Sequence, residues 1–317
     1  MTEQLELSSQ PRLKREIAMA FSALLAVLFL VAFIPILVKV SEYEMSPNAT
    51  VFNPRWIGAV LLTFWNVPSI LKQRRSGNFL AVKGLHNLHN LLLLLLILAI
   101  FSTAHTLLYV WSLTKTSIAN SEVLHSLNPL FTTLVAWMFL GQKFDGRFLT
   151  GIAIAIVGSI SIVANDFSIT IEKLQGDGLA LVSAMLLAWC LLVMEKLQTQ
   201  LSATAITTCN YLLGTVFLLP IVLVAGDDMF PHSWQVWLIV TAIGTVGIFQ
   251  QILVTYSLKW LSPGLVATVL LLHPAITAIL AWGIFWETLT GLNLLGFMVI
   301  LLGAYLTTSS KGGVKAT

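Results

Sequence analysis

The stretch from Ser102 to Gly158, STAHTLLYVWSLTKTSIANSEVLHSLNPLFTTLVAWMFLGQKFDGRFLTGIAIAIVG, decides the fold because the chain contains it twice. Laid without a gap on Gly247 to Gly303, GIFQQILVTYSLKWLSPGLVATVLLLHPAITAILAWGIFWETLTGLNLLGFMVILLG, at a constant offset of 145, it agrees at thirteen of 57 positions. Leucine coincidences mean little in so apolar a chain. The weight rests on Pro129/Pro274, Trp137/Trp282, Gly146/Gly291, Gly151/Gly296 and Gly158/Gly303, residues whose backbone and interface roles are tied to position. A duplicated apolar stretch implies a bundle built from internal repeats, with its site where the repeats meet.

Of the 317 residues, 57% are hydrophobic and only 10% charged, against roughly 25% charged in ordinary soluble domains. Such a chain cannot hide its apolar surface in one soluble core, and it needs lipid as solvent. The formal charge of +3 forms no basic patch suited to nucleic acid. Cys190 and Cys209 both fall inside apolar segments, so neither a disulfide framework nor a zinc site is expected. Arg12, Lys14 and Arg15 precede an apolar run from Ile17 to Val40, too long for a signal peptide and without a small-residue cleavage site, hence read as a retained first span.

Ten stretches are long and apolar enough to cross about 30 Å of hydrocarbon. Their limits are residues 17–40, 53–71, 84–111, 117–140, 147–165, 177–198, 203–225, 234–258, 263–286 and 290–308. With both ends in the cytoplasm, thirteen Lys and Arg lie inside and four outside, the latter being Lys39, Arg55, Lys115 and Lys173. That distribution obeys the positive-inside rule. The duplicated stretches then occupy spans three to five and eight to ten. Because five is odd, the second copy enters the membrane upside down. The expected architecture is an all-α membrane protein of ten transmembrane helices in two inverted five-helix repeats, residues 17–165 and 166–308, between short polar tails, residues 1–16 and 309–317, both cytoplasmic. Asn48-Ala49-Thr50 matches a glycosylation acceptor on the expected outer side.

The run Ser117 to Gly158, with Asn128-Pro129 in mid-helix, Ala136-Trp137, the loop Leu140-Gly141-Gln142-Lys143 and then Gly146, Gly151 and Gly158, resembles the EamA family of the drug/metabolite transporter superfamily. His273-Pro274, Ala281-Trp282, Phe285-Trp286-Glu287 and Gly291, Gly296 and Gly303 repeat the pattern, with Trp286 in place of the family's Gly and Gln142 in place of its Glu. The resemblance implies a ten-helix carrier of the inner (plasma) membrane, often an exporter of amino acids or other small metabolites. Some members that carry phosphorylated sugars use Lys and Arg inside late helices. No basic residue lies well inside spans six to ten here, which weighs against that substrate class.

A carrier needs polar, water-accessible groups within the apolar slab. Ser121, Glu122, His125, Asn128 and Thr132 recur every three or four residues in span four and so share a face. At 1.5 Å per residue from an outer end near Ser117, Glu122 lies about 7 Å deep, His125 about 12 Å and Asn128 about 16 Å. Pro129 kinks this helix and frees the carbonyl of His125, and Pro274 does the same in span nine. His273 is the repeat partner of Asn128, and His105 pairs with Gln250, with Tyr109 and Gln251 nearby. Trp189, in the middle of span six, offers an aromatic wall.

His125, Asn128 and His273 are therefore the expected centre of a substrate site, with His105, Gln250, Gln251, Tyr109 and Trp189 around it. His105 and Gln250 could equally be interhelical hydrogen-bonding glue. Glu122 either couples proton movement or pairs with Lys115, seven residues back. The spaced glycines read as helix contacts, and His86 and His89 as solvated residues at the inner end of span three.

No Gly-x-x-x-x-Gly-Lys, Gly-x-Ser-x-Gly or His-Glu-x-x-His motif is present, so ATP-driven pumping and the common hydrolytic and metalloprotease chemistries find no support. The expectation is a secondary active transporter, an exporter of a small metabolite such as an amino acid, rocking about a cavity lined by spans one, three, four, six, eight and nine. It needs no cofactor or metal, and its partners are a small-molecule substrate and the lipid bilayer, not nucleic acid. Oligomeric state stays open, a monomer being allowed. The alternative is an intramembrane enzyme or lipid-modifying protein drawing on Glu122, His125 and His273.

Overall fold

The computed structural model describes residues 2–75, 85–116, 121, 124–163, 174–273, 276 and 291–310. Among them there is no strand. The helices are α1 (Thr2–Val31), α2 (Ile34–Ser41), α3 (Pro47–Arg75), α4 (Leu85–Lys115), α5 (Asn128–Leu140), α6 (Gly146–Val163), α7 (Leu174–Leu197), α8 (Ala203–Ala225), α9 (Trp234–Ser257), α10 (Pro263–Leu270) and α11 (Gly291–Thr308).

Serine hydroxyls set several helix starts. Ser202, Ser233 and Ser262 accept from the backbone N–H three residues on, satisfying donors that the first turns of α8, α9 and α10 leave orphaned. Two ends are set by glycine: Gly141 (φ 62°) and Gly226 (φ 68°) stop α5 and α8 in the left-handed conformation that side chains disfavour.

Five segments are long and apolar enough to cross a bilayer: Lys14–Val38, Leu88–Lys115, Leu174–Leu197, Ala203–Ala225 and Trp234–Ser257. Asn128–Leu140, Gly146–Gly158 and Met298–Thr308 are apolar but shorter. The outer surface is apolar as well, with Phe64, Trp65, Val224 and Met298 all more than 70% exposed. Water would not tolerate such a belt and lipid does. The chain is a multi-pass membrane protein.

The prolines do more than kink. Ser126 and Leu127 form a turn, and α5 starts afresh at Asn128 with Pro129 in its first turn, where a missing N–H costs nothing. At the offset of 145, Leu271 and Leu272 form the corresponding turn after α10, directly before His273; Pro274 lies outside the described residues. The expected continuous first span is also divided, by a turn at Ala32–Phe33 ahead of Pro35.

Close approach comes from small residues. A Cβ on Gly151 of α6 would lie 2.8 Å from the carbonyl oxygen of Gly303 of α11, and one on Gly158 would lie 2.9 Å from that of Gly296. Gly151, Gly158, Gly296 and Gly303 are helix contacts, as their spacing suggests, whereas a Cβ on Gly146 or Gly291 would meet nothing within 4 Å. Elsewhere α4 packs on α7 and α8, α9 packs on α1 and α3, α3 packs on α8, and α5 meets α10.

Candidate functional site

Between these helices lies a cavity of about 340 Å³. Seven of the eight residues expected at the site line it: His105, Tyr109, His125, Asn128, Gln250, Gln251 and His273. Trp189 is not among them, because its ring packs edge-on against Phe101 (6.4 Å) and Phe139 (4.6 Å). Glu122 lies outside the described residues. Its neighbour Ser121 is buried, with its hydroxyl 2.7 Å from that of Ser112, and Lys115 is exposed and donates to Gln175 Oε1 at 3.4 Å. His89 is exposed, consistent with a residue at a helix end.

Ser183 of α7 organises the histidines. His105 Nδ1 lies 3.1 Å from the Ser183 carbonyl oxygen and 2.8 Å from its hydroxyl, the hydroxyl donates to the His105 carbonyl at 2.9 Å, and His125 Nε2 approaches the same hydroxyl at 3.1 Å. One proton arrangement satisfies every contact: His105 protonated on Nδ1, which leaves Nε2 as an acceptor, and His125 protonated on Nε2. The two rings stack at 5.5 Å, and Tyr109 lies 4.7 Å from His125. Asn128 Nδ2 donates to the carbonyl of Ala184 at 3.0 Å, fixing the start of α5 against α7. At the other break, His273 Nε2 donates to the carbonyl of Val31 at 3.3 Å, joining the interrupted first span to the interrupted ninth.

Ser183 escapes a search for charged or aromatic groups. Its signal is spacing: Ala180, Ser183, Ala184 and Ala188 form a stripe of small residues, all fully buried, that lets α7 approach its neighbours.

Helices expected to stand outside the cavity also line it. α3 contributes Arg55, and α8 contributes Asn210 and Tyr211. Arg55 is expected with the outer-side charges, at the outer end of the second span; it is instead buried, 8% exposed, donating through Nη2 to the Ser102 carbonyl (2.8 Å) and to Thr106 Oγ1 (3.1 Å). Hydropathy starts the span at residue 53, whereas α3 starts at Pro47, behind Ser46, whose hydroxyl accepts from the Ala49 N–H. Those extra turns carry Arg55 inside. They bury Asn48 too, which donates to Asp227 (2.7 Å) and accepts from Trp111 (3.0 Å). A side chain so engaged is no glycan acceptor.

From Arg55 the polar network continues. Ser102 Oγ donates to Asn210 Oδ1 at 2.7 Å, and Asn210 Nδ2 donates to Gln251 Oε1 at 3.0 Å. Apolar residues such as Leu28, Val51 and Leu98 complete the wall, and Cys190 lines it as a free thiol. No cluster of three or more His, Cys, Asp or Glu suited to a metal occurs among the described residues.

An all-helical membrane bundle whose broken helices meet around a polar interior cavity belongs to the class of membrane transporters. The model of the EamA-like transporter family matches residues 18–164 and again residues 174–309, and the chain belongs to that family. It is similar to the pseudopaline exporter CntI of Pseudomonas aeruginosa, 23% identical over 294 residues, covering 92% of this chain and 96% of that protein. Solute carrier family 35 member G1 of Mus musculus is 27% identical over 180 residues, 53% of this chain and 48% of that one. An uncharacterised transporter of Archaeoglobus fulgidus is 26% identical over 218 residues, 65% and 73% of the two chains. A solved crystal structure shares the fold with a TM-score of 0.72 at 15% identity, covering 93% of this chain and 98% of that one.

Proposed function

We propose that this chain is a secondary active exporter of a small metabolite, such as an amino acid, working by alternating access. Two inverted five-helix repeats, residues 17–165 and 166–308, rock about the cavity in the plasma membrane with both termini cytoplasmic. The observation that carries this reading is the convergence of Asn128 and His125 from the first half with His273 and Gln250 from the second on one cavity at the helix breaks. The packing supports the twofold relation: α4 on α7 answers α9 on α1, α4 on α8 answers α9 on α3, and α6 meets its own counterpart α11. The two separate family matches, one in each half, support the same division.

Flux in reconstituted vesicles tests the proposal. A metabolite panel is first screened for thermal stabilisation of the purified protein, since a specific ligand stabilises the state it binds. Stabilising compounds should then show saturable, substrate-dependent flux that Asn128→Ala and His273→Ala reduce by about tenfold or more. Binding without flux in either direction overturns the carrier reading.

A further inference from the structure

We propose that Arg55 and Gln251 form an oxyanion seat in the cavity, so that the transported molecule presents a carboxylate to them. The inference rests on the transport reading and names its substrate class. It starts from an imbalance of charge. Arg55 is more than nine-tenths buried, lines the cavity, and stands about 12 Å along α3 from Pro47. No Asp or Glu lines the cavity among the described residues. A guanidinium inside a membrane bundle is costly even by the lenient insertion scales, and such charges ordinarily pair.

The hydrogen bonds show the same deficit. Arg55 Nη2 is satisfied by Ser102 and Thr106, but Nη1 has no hydrogen-bond partner among the described residues. The network leading away through Ser102 and Asn210 ends at Gln251, whose Oε1 accepts and whose Nε2 likewise has no partner among the described residues. Both ends of one connected chain are thus buried donors, one carried by a cation, with no acceptor supplied. A carboxylate provides a negative charge and two acceptor oxygens in the planar arrangement a guanidinium fits.

Other features make room for the guanidinium. Gly214 of α8 lies where any Cβ would collide with Nη1. The Tyr211 ring stands 5.9 Å from the guanidinium carbon, so one face of the cation is held by an aromatic and its donors stay in plane. A purely structural arginine, tying α3 to α4, would need its two Nη2 bonds and no charge. A phosphate dianion calls for a second cation, and among the described residues neither Lys nor another Arg lines the cavity.

Thermal unfolding of the purified full chain in detergent decides this, using phenylacetate, succinate and L-leucine, each beside its primary amide, with phenyl phosphate as the phosphate arm. At least one acid should stabilise saturably, its amide should bind about tenfold more weakly or worse, and Arg55→Gln should weaken the acid by a similar factor while leaving the amide unchanged. Equal binding of acid and amide, stabilisation by phenyl phosphate alone, or no stabilisation by any acid overturns the seat. So does an Arg55→Gln protein that elutes as a single folded species and keeps the acid's affinity within about twofold. Should that variant not fold, the acid and amide comparison on the unaltered protein settles whether the seat exists. Saturable flux of neutral or cationic compounds with no preference for acids removes the seat and leaves the transporter standing, whereas binding of an acid without flux does the reverse.

Discussion

Gly151 of α6 and Gly303 of α11 face each other so closely that a Cβ on either would press into the other's backbone, 2.8 Å from one carbonyl oxygen and 2.6 Å from the other. Since Gly151 repeats as Gly296 and Gly158 as Gly303, the facing pairs Gly151–Gly303 and Gly158–Gly296 are the same contact seen from the two halves. In lipid, helices gain little from hiding apolar area and depend on such close packing.

Gly151→Ala should therefore lower stability by about 1–3 kcal/mol, the usual cost of overpacking, because the backbone of Thr307 and Gly303, together with the Thr307 hydroxyl, blocks the added methyl. Gly146→Ala, at a position where a Cβ meets nothing within 4 Å, should be neutral. Thermal unfolding in detergent compares the two; equal melting temperatures would mean that the seam between α6 and α11 yields freely.

Ser183→Ala removes the hydroxyl shared by His105 and His125, leaving His105 Nδ1 with the backbone carbonyl of residue 183 and taking from the half-buried His125 the acceptor that its Nε2 meets there. The expected loss is about 1–3 kcal/mol. Substrate affinity should fall with it, since the two histidine rings form one wall of the cavity. Ser183→Thr keeps the hydroxyl but adds a methyl where the serine is fully buried, so it should bind nearly normally if it folds. Isothermal binding of whichever compound the panel selects, measured beside the melting temperature, separates the two effects.

How far the sequence can be read depends on the kind of signal a residue gives. Proline and glycine repeated at an offset of 145, and histidine, asparagine and glutamine within apolar spans, are rare enough to stand out, so the breaks before Pro129 and Pro274, the glycine seam and seven cavity residues could be found without coordinates. Hydropathy does not single out Arg55, because a limit drawn at residue 53 leaves it two residues from the apparent end of the span, where a charge reads as an interfacial one. The Ser46–Pro47 start signal was the better guide to where α3 begins. Ser183 and Asn210 are small polar residues among many, and only the neighbours that α4 and α9 bring to them give them a role. Trp189 failed for the opposite reason, since position in mid-span does not say which way a ring turns.

Glu122 stands one residue after the buried Ser121 and three before His125 on the polar stripe of the fourth span. A carboxyl on that stripe is the candidate carrier of the coupled proton. Glu122→Gln, which keeps the shape and removes the titration, should abolish substrate-dependent proton flux in vesicles while binding persists. Coupled flux that survives unchanged takes the proton role from this residue.

Cys190 reports on access. Its thiol lines the cavity from α7, while the other cysteine, Cys209, is absent from the lining. In a Cys209→Ser background, a membrane-impermeant maleimide should label Cys190 from either side of the membrane in turn, as the halves rock. Saturating substrate should slow that labelling by about tenfold or more, since the occupied cavity admits no second molecule. Labelling from one side only, at a rate indifferent to substrate, would describe a fixed vestibule, and the rocking motion would have to be given up even if the cavity still binds.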